Sequence, residues 1–241
     1  MISVCMATYN GEKNITEQIY SILCQIGEDD ELIISDDWST DNTFHIIQSI
    51  QDNRITLIRN NGIHGYTSNF YNALKFAKGD YIFLSDQDDI WLPNKVGITV
   101  AKLQKYAFVV SDAKEVNQNL TVISDSRIKK YRMKSGFINN LLRSRYIGCC
   151  MAFTKDVLKK IFPVPTYTNN FPHDLWIALI GEFYFKSALI EEPLILYRRH
   201  ESNTSDGGEG KKGNLYDILC KVGIRFYYFF FVIKQSLIKN N

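Results

Sequence analysis

The chain has 241 residues, 45% of them hydrophobic and 13% aromatic, which suits one packed domain with a small appendage and excludes wholesale disorder. The formal net charge of +2 is carried by the tail, where from Ser205 onward Lys211, Lys212, Lys221, Arg225, Lys234 and Lys239 outnumber Asp206, Glu209 and Asp217; the nearly neutral body argues against a general nucleic-acid binder. No apolar stretch approaches the ~18 residues of a membrane span, the start Met1-Ile2-Ser3-Val4 lacks a signal peptide's basic segment, and five cysteines without a C-x-x-C pair suggest reduced thiols in the cytoplasm.

Ile2-Ser3-Val4 reads as a strand. Asn14 opens a helix, with Glu17 completing a capping box and Ile15, Ile19, Ile22 and Ile26 forming its apolar face. Leu32-Ile33-Ile34 is a second strand. Asp41 caps a helix carrying Phe44, Ile47 and Ile50. Ile55 to Ile58 is a third strand, followed by a helix through Phe70, Leu74 and Ala77, a turn at Gly79-Asp80 and a fourth strand, Tyr81 to Leu84. This alternation predicts an α/β fold with a mostly parallel sheet covered by helices. Ser205 to Gly213, rich in Gly and Lys, reads as a flexible loop.

Ligands of such sheets bind beyond the carboxyl ends of the strands. Those ends carry Ala7-Thr8-Tyr9-Asn10, Ser35-Asp36-Asp37 and Ser85-Asp86-Gln87-Asp88-Asp89, so acidic groups gather at one rim. No glycine cradle for phosphates follows the first strand. A metal ion can replace it, because Mg²⁺ and Mn²⁺ are held by one or two carboxylates plus substrate phosphates. An isolated D-x-D, however, is also what a solvated turn looks like.

The D-x-D is not isolated. Ala7 to Asn10, Ser35-Asp36-Asp37-Trp38-Ser39-Thr40-Asp41, Asn69, Gly79 to Trp91, His173-Asp174-Leu175-Trp176 and Glu192 to His200 together resemble the family 2 glycosyltransferases, over about residues 1–205. The closer resemblance is to the bacterial polysaccharide, rhamnosyltransferase-like branch. It implies the GT-A nucleotide-sugar fold, inverting transfer, and a Mn²⁺ or Mg²⁺ cofactor. It also implies roles. Asp37 would accept the imide N–H of the base, which suits an acceptor-only carboxylate. Ala7, Thr8, Tyr9, Asn10, Asn69, Asp86 and Gln87 would line the nucleotide-sugar pocket. Asp88, with Asp86 and His200, would hold the metal. Arg198 and Arg199 would meet the diphosphate, although a solvated basic strand end reads the same way. Asp174 would be the general base; on position alone it could equally cap a helix. His173 and Trp176 would contact the acceptor. Two positions depart from the pattern: Trp38 stands where many relatives carry Gly, and Ser68 where Arg is frequent before the residue matching Asn69.

Arg127, Lys129, Lys130, Arg132, Lys134, Arg143 and Arg145 form a basic run without an acid, either a solvated face or a contact for anionic lipid or a lipid-linked acceptor. Phe226 to Ile233 is aromatic and flanked by Lys221, Arg225, Lys234 and Lys239. It reads as a helix lying in the membrane interface, with packing onto the domain or a homodimer contact as the alternatives. The expected organisation is a catalytic domain at 1–204, with a donor half at 1–111 and an acceptor half at 112–204, and a tail at 205–241. The expected activity is transfer of a sugar from a UDP- or dTDP-sugar to a glycan or lipid-linked glycan in bacterial surface polysaccharide synthesis, in the cytoplasm or on the inner face of the plasma membrane. Its rivals are a non-catalytic nucleotide- or glycan-binding protein on the same fold, and a nucleotidyltransferase, which would normally show the missing phosphate loop.

Overall fold

In a computed structural model, which describes residues 1–165, 172–199 and 215–238, the four expected strands are β1 (Ile2–Thr8), β2 (Glu31–Asp36), β3 (Ile55–Arg59) and β4 (Tyr81–Ser85). They pair in parallel in the order β3-β2-β1-β4. Connecting them are α1 (Ile15–Leu23), α2 (Thr43–Ser49) and α3 (Tyr66–Phe76). Ile15, Ile19 and Ile22 are fully buried, as the helical spacing requires. From β1 the chain steps one way to β2, and from β3 it returns past β1 to β4. Right-handed crossovers in opposite directions put α1 and α3 on opposite faces. A crevice therefore opens at the carboxyl ends of β1 and β4.

Beyond β4 the sheet becomes mixed. β8 (Met151–Thr154) runs antiparallel to both β4 and β6 (Phe108–Val116); β9 (Ser187–Arg198) runs parallel to β6, and β5 (Ile90–Trp91) antiparallel to β9. β7 (Val122–Ser124) pairs with β6, completing nine strands among the described residues. The expected line between donor and acceptor halves, at 111/112, falls inside β6, so one continuous sheet supports both.

The capping box does not form. Asn14 makes no side-chain cap, and Glu17 pairs instead with Arg198. The first turn of α1 is closed by the backbone, Asn14 N and Ile15 N each donating to Gly11 O at 3.0 Å. Asp41 does cap α2, although it lies one residue before the N-cap Asn42: its carboxylate accepts from Thr43 N at 2.9 Å and Glu12 N at 3.2 Å.

Further helices are α4 (Lys95–Leu103), α5 (Arg127–Tyr131), α6 (Phe137–Arg143), α7 (Lys155–Ile161), α8 (His173–Tyr184) and α9 (Leu215–Ile238). The basic run splits. Arg127 is buried and pairs with Glu115, which Lys130 also meets. These two cations serve the core, because a buried carboxylate needs a counter-charge. α8 is apolar on every side and buried from Leu175 to Gly181. The tail helix packs back onto it: Tyr228 stacks on Trp176 at 5.4 Å, and Tyr228 and Val232 are buried. Phe226 and Phe230, on the opposite side of α9, are exposed.

Gly181 lets α8 sit on β6. A Cβ added there would lie 2.4 Å from Phe108 Cγ. Gly181→Ala is therefore expected to destabilise the domain by about 1–3 kcal/mol through overpacking. At an open helical position the same change would stabilise by up to ~1 kcal/mol. The urea midpoint gives the sign, and a rise would show that the close contact is absent.

Candidate active site

The crevice is a cleft of about 1110 Å³. Its floor is the rim read from the sequence. Ala7, Thr8, Tyr9 and Asn10 come from the end of β1, Asp37 from the end of β2, and Asp86, Gln87 and Asp88 from the end of β4. Asn69 of α3 lines the same wall, and His173 and Asp174 close the far side from the first turn of α8.

Neighbouring aspartates part company here because successive residues of an extended chain face opposite ways. Asp36 turns into the sheet, where it pairs with Arg59 and accepts from Ser39 N at 2.9 Å. Asp37 turns to the cleft, held by Asn60 Nδ2 at 2.7 Å, Gly65 N at 2.7 Å and His64 Nδ1 at 3.0 Å. Trp38 does not enter the cleft. It adopts φ 62°, donates Nε1–H to Asn60 O at 2.9 Å and packs under the Arg59 guanidinium. Its left-handed backbone explains why Gly suits this position.

The D-x-D strand end is crowded with acid. Burial first, and the Asp88 charge second, push Asp86 up to about 7. Asp89 is buried; its Oδ1 accepts from Arg198 N at 3.1 Å and its Oδ2 has no partner. Burial and the two neighbouring aspartates hold Asp89 well above the usual carboxylate range. Ligand atoms of Asp86, Asp89 and Cys149 lie within 4.8 Å of one another. Crowded carboxylates with an orphan oxygen suit a divalent cation, which would supply the missing counter-charge.

Across the cleft, Asp174 lies inside α8, whose N-cap is Pro172, so it is not the capping residue. Its carboxylate accepts from Leu175 N at 2.7 Å, and burial pushes it up to about 6. His173 is 5% exposed, and neither ring nitrogen has a partner. It stacks on Phe70 at 4.0 Å, and burial pulls it down to about 3, so it is a neutral imidazole.

Residues 3–162 match the family described as glycosyl transferase family 2. The chain belongs to glycosyl transferase family 2. An Escherichia coli relative, WfgD, a UDP-Glc:alpha-D-GlcNAc-diphosphoundecaprenol beta-1,3-glucosyltransferase, is 30% identical over 76% of this chain and 70% of its own. The dTDP-rhamnosyl transferase RfbG of Shigella flexneri is 31% identical over 82% of this chain and 72% of its own. Staphylococcus aureus TarS, solved with UDP-GlcNAc, superposes with a TM-score of 0.68 at 16% identity, covering 93% of this chain and 66% of that one. The mannosyltransferase PcManGT of Pyrobaculum calidifontis, solved with GDP-Man and Mn²⁺, gives 0.61 at 19% identity, over 88% and 58%. The fold is thus the GT-A fold of glycosyltransferases.

Some expected site residues of this glycosyltransferase are used elsewhere. Trp176 is fully buried and donates Nε1–H to Ile161 O at 3.0 Å; it faces the core and not an acceptor. Arg198 is buried, paired with Glu17 and donating to Gln118 O at 3.0 Å, so its guanidinium is not turned to the cleft. Arg199 joins β6 through its backbone N–H to Val116 O, and its side chain does not line the cleft either. His200 lies outside the described residues. Asp89 and Cys149 were missed as neighbours of Asp86. Asp89 had a signal, directly following the D-x-D; Cys149 had none.

Gln87 is spent on the scaffold. Its Oε1 accepts from Thr8 Oγ1 and Tyr9 N, both at 2.7 Å, and its Nε2 donates to Tyr9 O at 2.9 Å. Gln87→Ala removes all three ties between the β1 and β4 loops. We expect a loss of about 1–3 kcal/mol in denaturant unfolding, since Thr8 is buried and loses its partner. An unchanged midpoint would show the ties to be dispensable.

Proposed function

We propose that this glycosyltransferase moves a sugar from a UDP- or dTDP-activated donor to a glycan acceptor carried on a lipid diphosphate, with inversion at the anomeric carbon. Asp174 carries the reading: a carboxylate with a raised pKa, facing the nucleotide-side aspartates across one cleft, is what a general base needs. A protein that only bound nucleotide or glycan would gain nothing from burying it. The relatives' names supply the substrate classes, and the TarS and PcManGT complexes support a nucleotide donor and a divalent ion. The setting we propose is bacterial surface polysaccharide synthesis, and the diphosphoundecaprenol-linked acceptor in the name of WfgD supports it. No described helix is long and apolar enough to cross a membrane.

The residues divide the work. Asp37, fixed by Asn60 and Gly65, accepts the base imide N–H. Thr8, Tyr9, Asn10 and the unpartnered Asn69 Oδ1 face the nucleoside. Asp86 and Asp88 would hold Mn²⁺ or Mg²⁺ against the diphosphate, and such an ion neutralises charge on the leaving group when bound. Asp174 takes the acceptor hydroxyl proton as that oxygen bonds to the anomeric carbon. The bond from that carbon to the donor phosphate oxygen breaks on the opposite face, and its electron pair leaves with the nucleotide diphosphate. His173, neutral and beside Asp174, offers a ring nitrogen to the acceptor.

Asp174→Asn is expected to cut transfer by about 10²–10⁴-fold, the range of a positioned base, while UDP affinity in calorimetry stays unchanged. The base must be ionised, so wild-type kcat/KM should fall as pH drops through about 6. For stability the sign is opposite. The folded carboxyl holds its proton more tightly than the unfolded one, so its stabilising effect is lost as pH rises through about 6. At neutral pH Asp174→Asn should therefore melt no lower than wild type. Near-normal turnover would remove Asp174 as the base. Asp88→Ala should abolish the gain in UDP affinity that Mn²⁺ gives. A Mn²⁺-dependent gain that survives the substitution would place the ion elsewhere.

A further inference from the structure

Two guanidinium groups in the cleft have no role in the reaction above. Arg145 lies two residues beyond α6, and Arg225 lies on α9, one turn before Tyr228. Both line the cleft that holds Asp174. The other well-buried or half-buried arginines with charged neighbours are neutralised: Arg127 by Glu115, Arg198 by Glu17, Arg59 by Asp36. Arg145 and Arg225 form no ion pair with any described carboxylate. Arg225 Nε is buried without a hydrogen-bond partner. Arg145 rests over the Tyr131 ring at 5.5 Å, and its nearest charges, Arg143 and Arg127, are of its own sign. Burial lowers the pKa of both guanidinium groups. Uncompensated cations in a cavity call for an anionic ligand, and the planar guanidinium fork matches phosphate oxygens.

The surroundings restrict what that anion belongs to. Tyr228, one turn along from Arg225, has a phenol whose pKa is raised by burial and then by the Asp174 charge, so Arg225 stands on the base's side of the cleft. Phe226 and Phe230 are 60% and 64% exposed and lie one turn apart on the outer side of α9. Ile138 and Leu142 are exposed at 58% and 69% on α6, the neighbouring helix, which meets α9 through Phe137 and Phe229 at 6.3 Å. A free nucleotide would leave these apolar ridges in water. An amphiphile would cover them.

We propose that Arg145 and Arg225 bind the diphosphate of a lipid-diphosphate acceptor, whose hydrocarbon leaves the cleft along Phe226 and Phe230. The inference rests on the glycosyl-transfer reading and adds the acceptor's anchoring site to it. The donor's own diphosphate is the other source of the same chemistry, and the experiment separates the two.

The full chain is titrated with farnesyl diphosphate, inorganic pyrophosphate and farnesol in EDTA, and separately with UDP in Mn²⁺. Farnesyl diphosphate should bind more tightly than either of the others. R145Q and R225Q should each weaken it at least about tenfold, a typical loss for one charge-assisted contact, with UDP affinity kept within about twofold. R145K and R225K should restore part of the binding, which shows that charge and not a folding defect is read. Lys234→Gln, an exposed cation further along α9, should change nothing. Phe226→Ser should weaken farnesyl diphosphate but not pyrophosphate. Absence of farnesyl diphosphate binding overturns the proposal, as does an equal loss of UDP affinity in the arginine variants. Binding of farnesyl diphosphate no tighter than pyrophosphate, untouched by Phe226→Ser, overturns its lipid part. Failure of the glycosyl-transfer reading would look different: no UDP binding at all.

Discussion

The reversal of strand order between β1 and β4 is the constraint on which the rest depends. Every parallel strand must end somewhere, and a helix normally covers the space beyond it. Where the chain leaves β1 in one direction and returns to β4 on its other side, α1 and α3 diverge and that space stays open. Thr8, Asp37 and Asp86 to Asp88 stand on its floor because they are the next residues after the buried apolar runs of β1, β2 and β4. Their polarity ends the strands, and their position makes the site.

Electrostatic tension follows from that geometry. Carboxylates at a crevice floor are removed from water and brought near one another, and both effects favour the protonated form. Both raise Asp86 and Asp89, and burial alone raises Asp174. Elsewhere the molecule neutralises such charge with care. Glu115 has Arg127 and Lys130, and Asp36 has Arg59. Asp86 and Asp174 form no ion pair with any described cation, and Arg145 and Arg225 form none with any described carboxylate. A fold that compensates buried charge in its frame and leaves both signs uncompensated in one cavity has stored its mismatches where ligands enter.

The C-terminal helix shows how one segment can satisfy two readings of the same pattern. An aromatic run flanked by basic residues reads equally as a membrane-surface helix or as a packing helix. Tyr228 and Val232 supply the packed side by meeting Trp176 and α8, while Phe226 and Phe230 remain outside. Helical spacing allows both, since two residues on from a buried position is roughly the opposite face. Trp176 pays for that packing with its own availability: it can hold α9 or touch an acceptor, and it holds α9.

The first four strands, the three helices between them and the acidic rim were legible in the residues, because apolar periodicity is a local property and the rim simply follows the strands. The motif pattern also carried the family, which no single D-x-D could. Direction was not legible. Asp36 and Asp37 are chemically alike, and only the sheet decides which one faces the cleft. Glu17 had the spacing for a capping box, yet Arg198, far along the chain, offered it a full charge, and a charge-assisted pair outcompetes a backbone cap. Trp176 and Arg198 sit in motifs of the right composition but are consumed by long-range packing. Cys149 joins Asp86, and Arg225 joins Arg145, only because a mixed sheet and a returning helix carry distant segments to one place. The sequence by itself determined which groups are available at which strand ends. The tertiary structure decided which of them are already satisfied by one another, because only contacts between remote segments determine which charges are left over for a ligand.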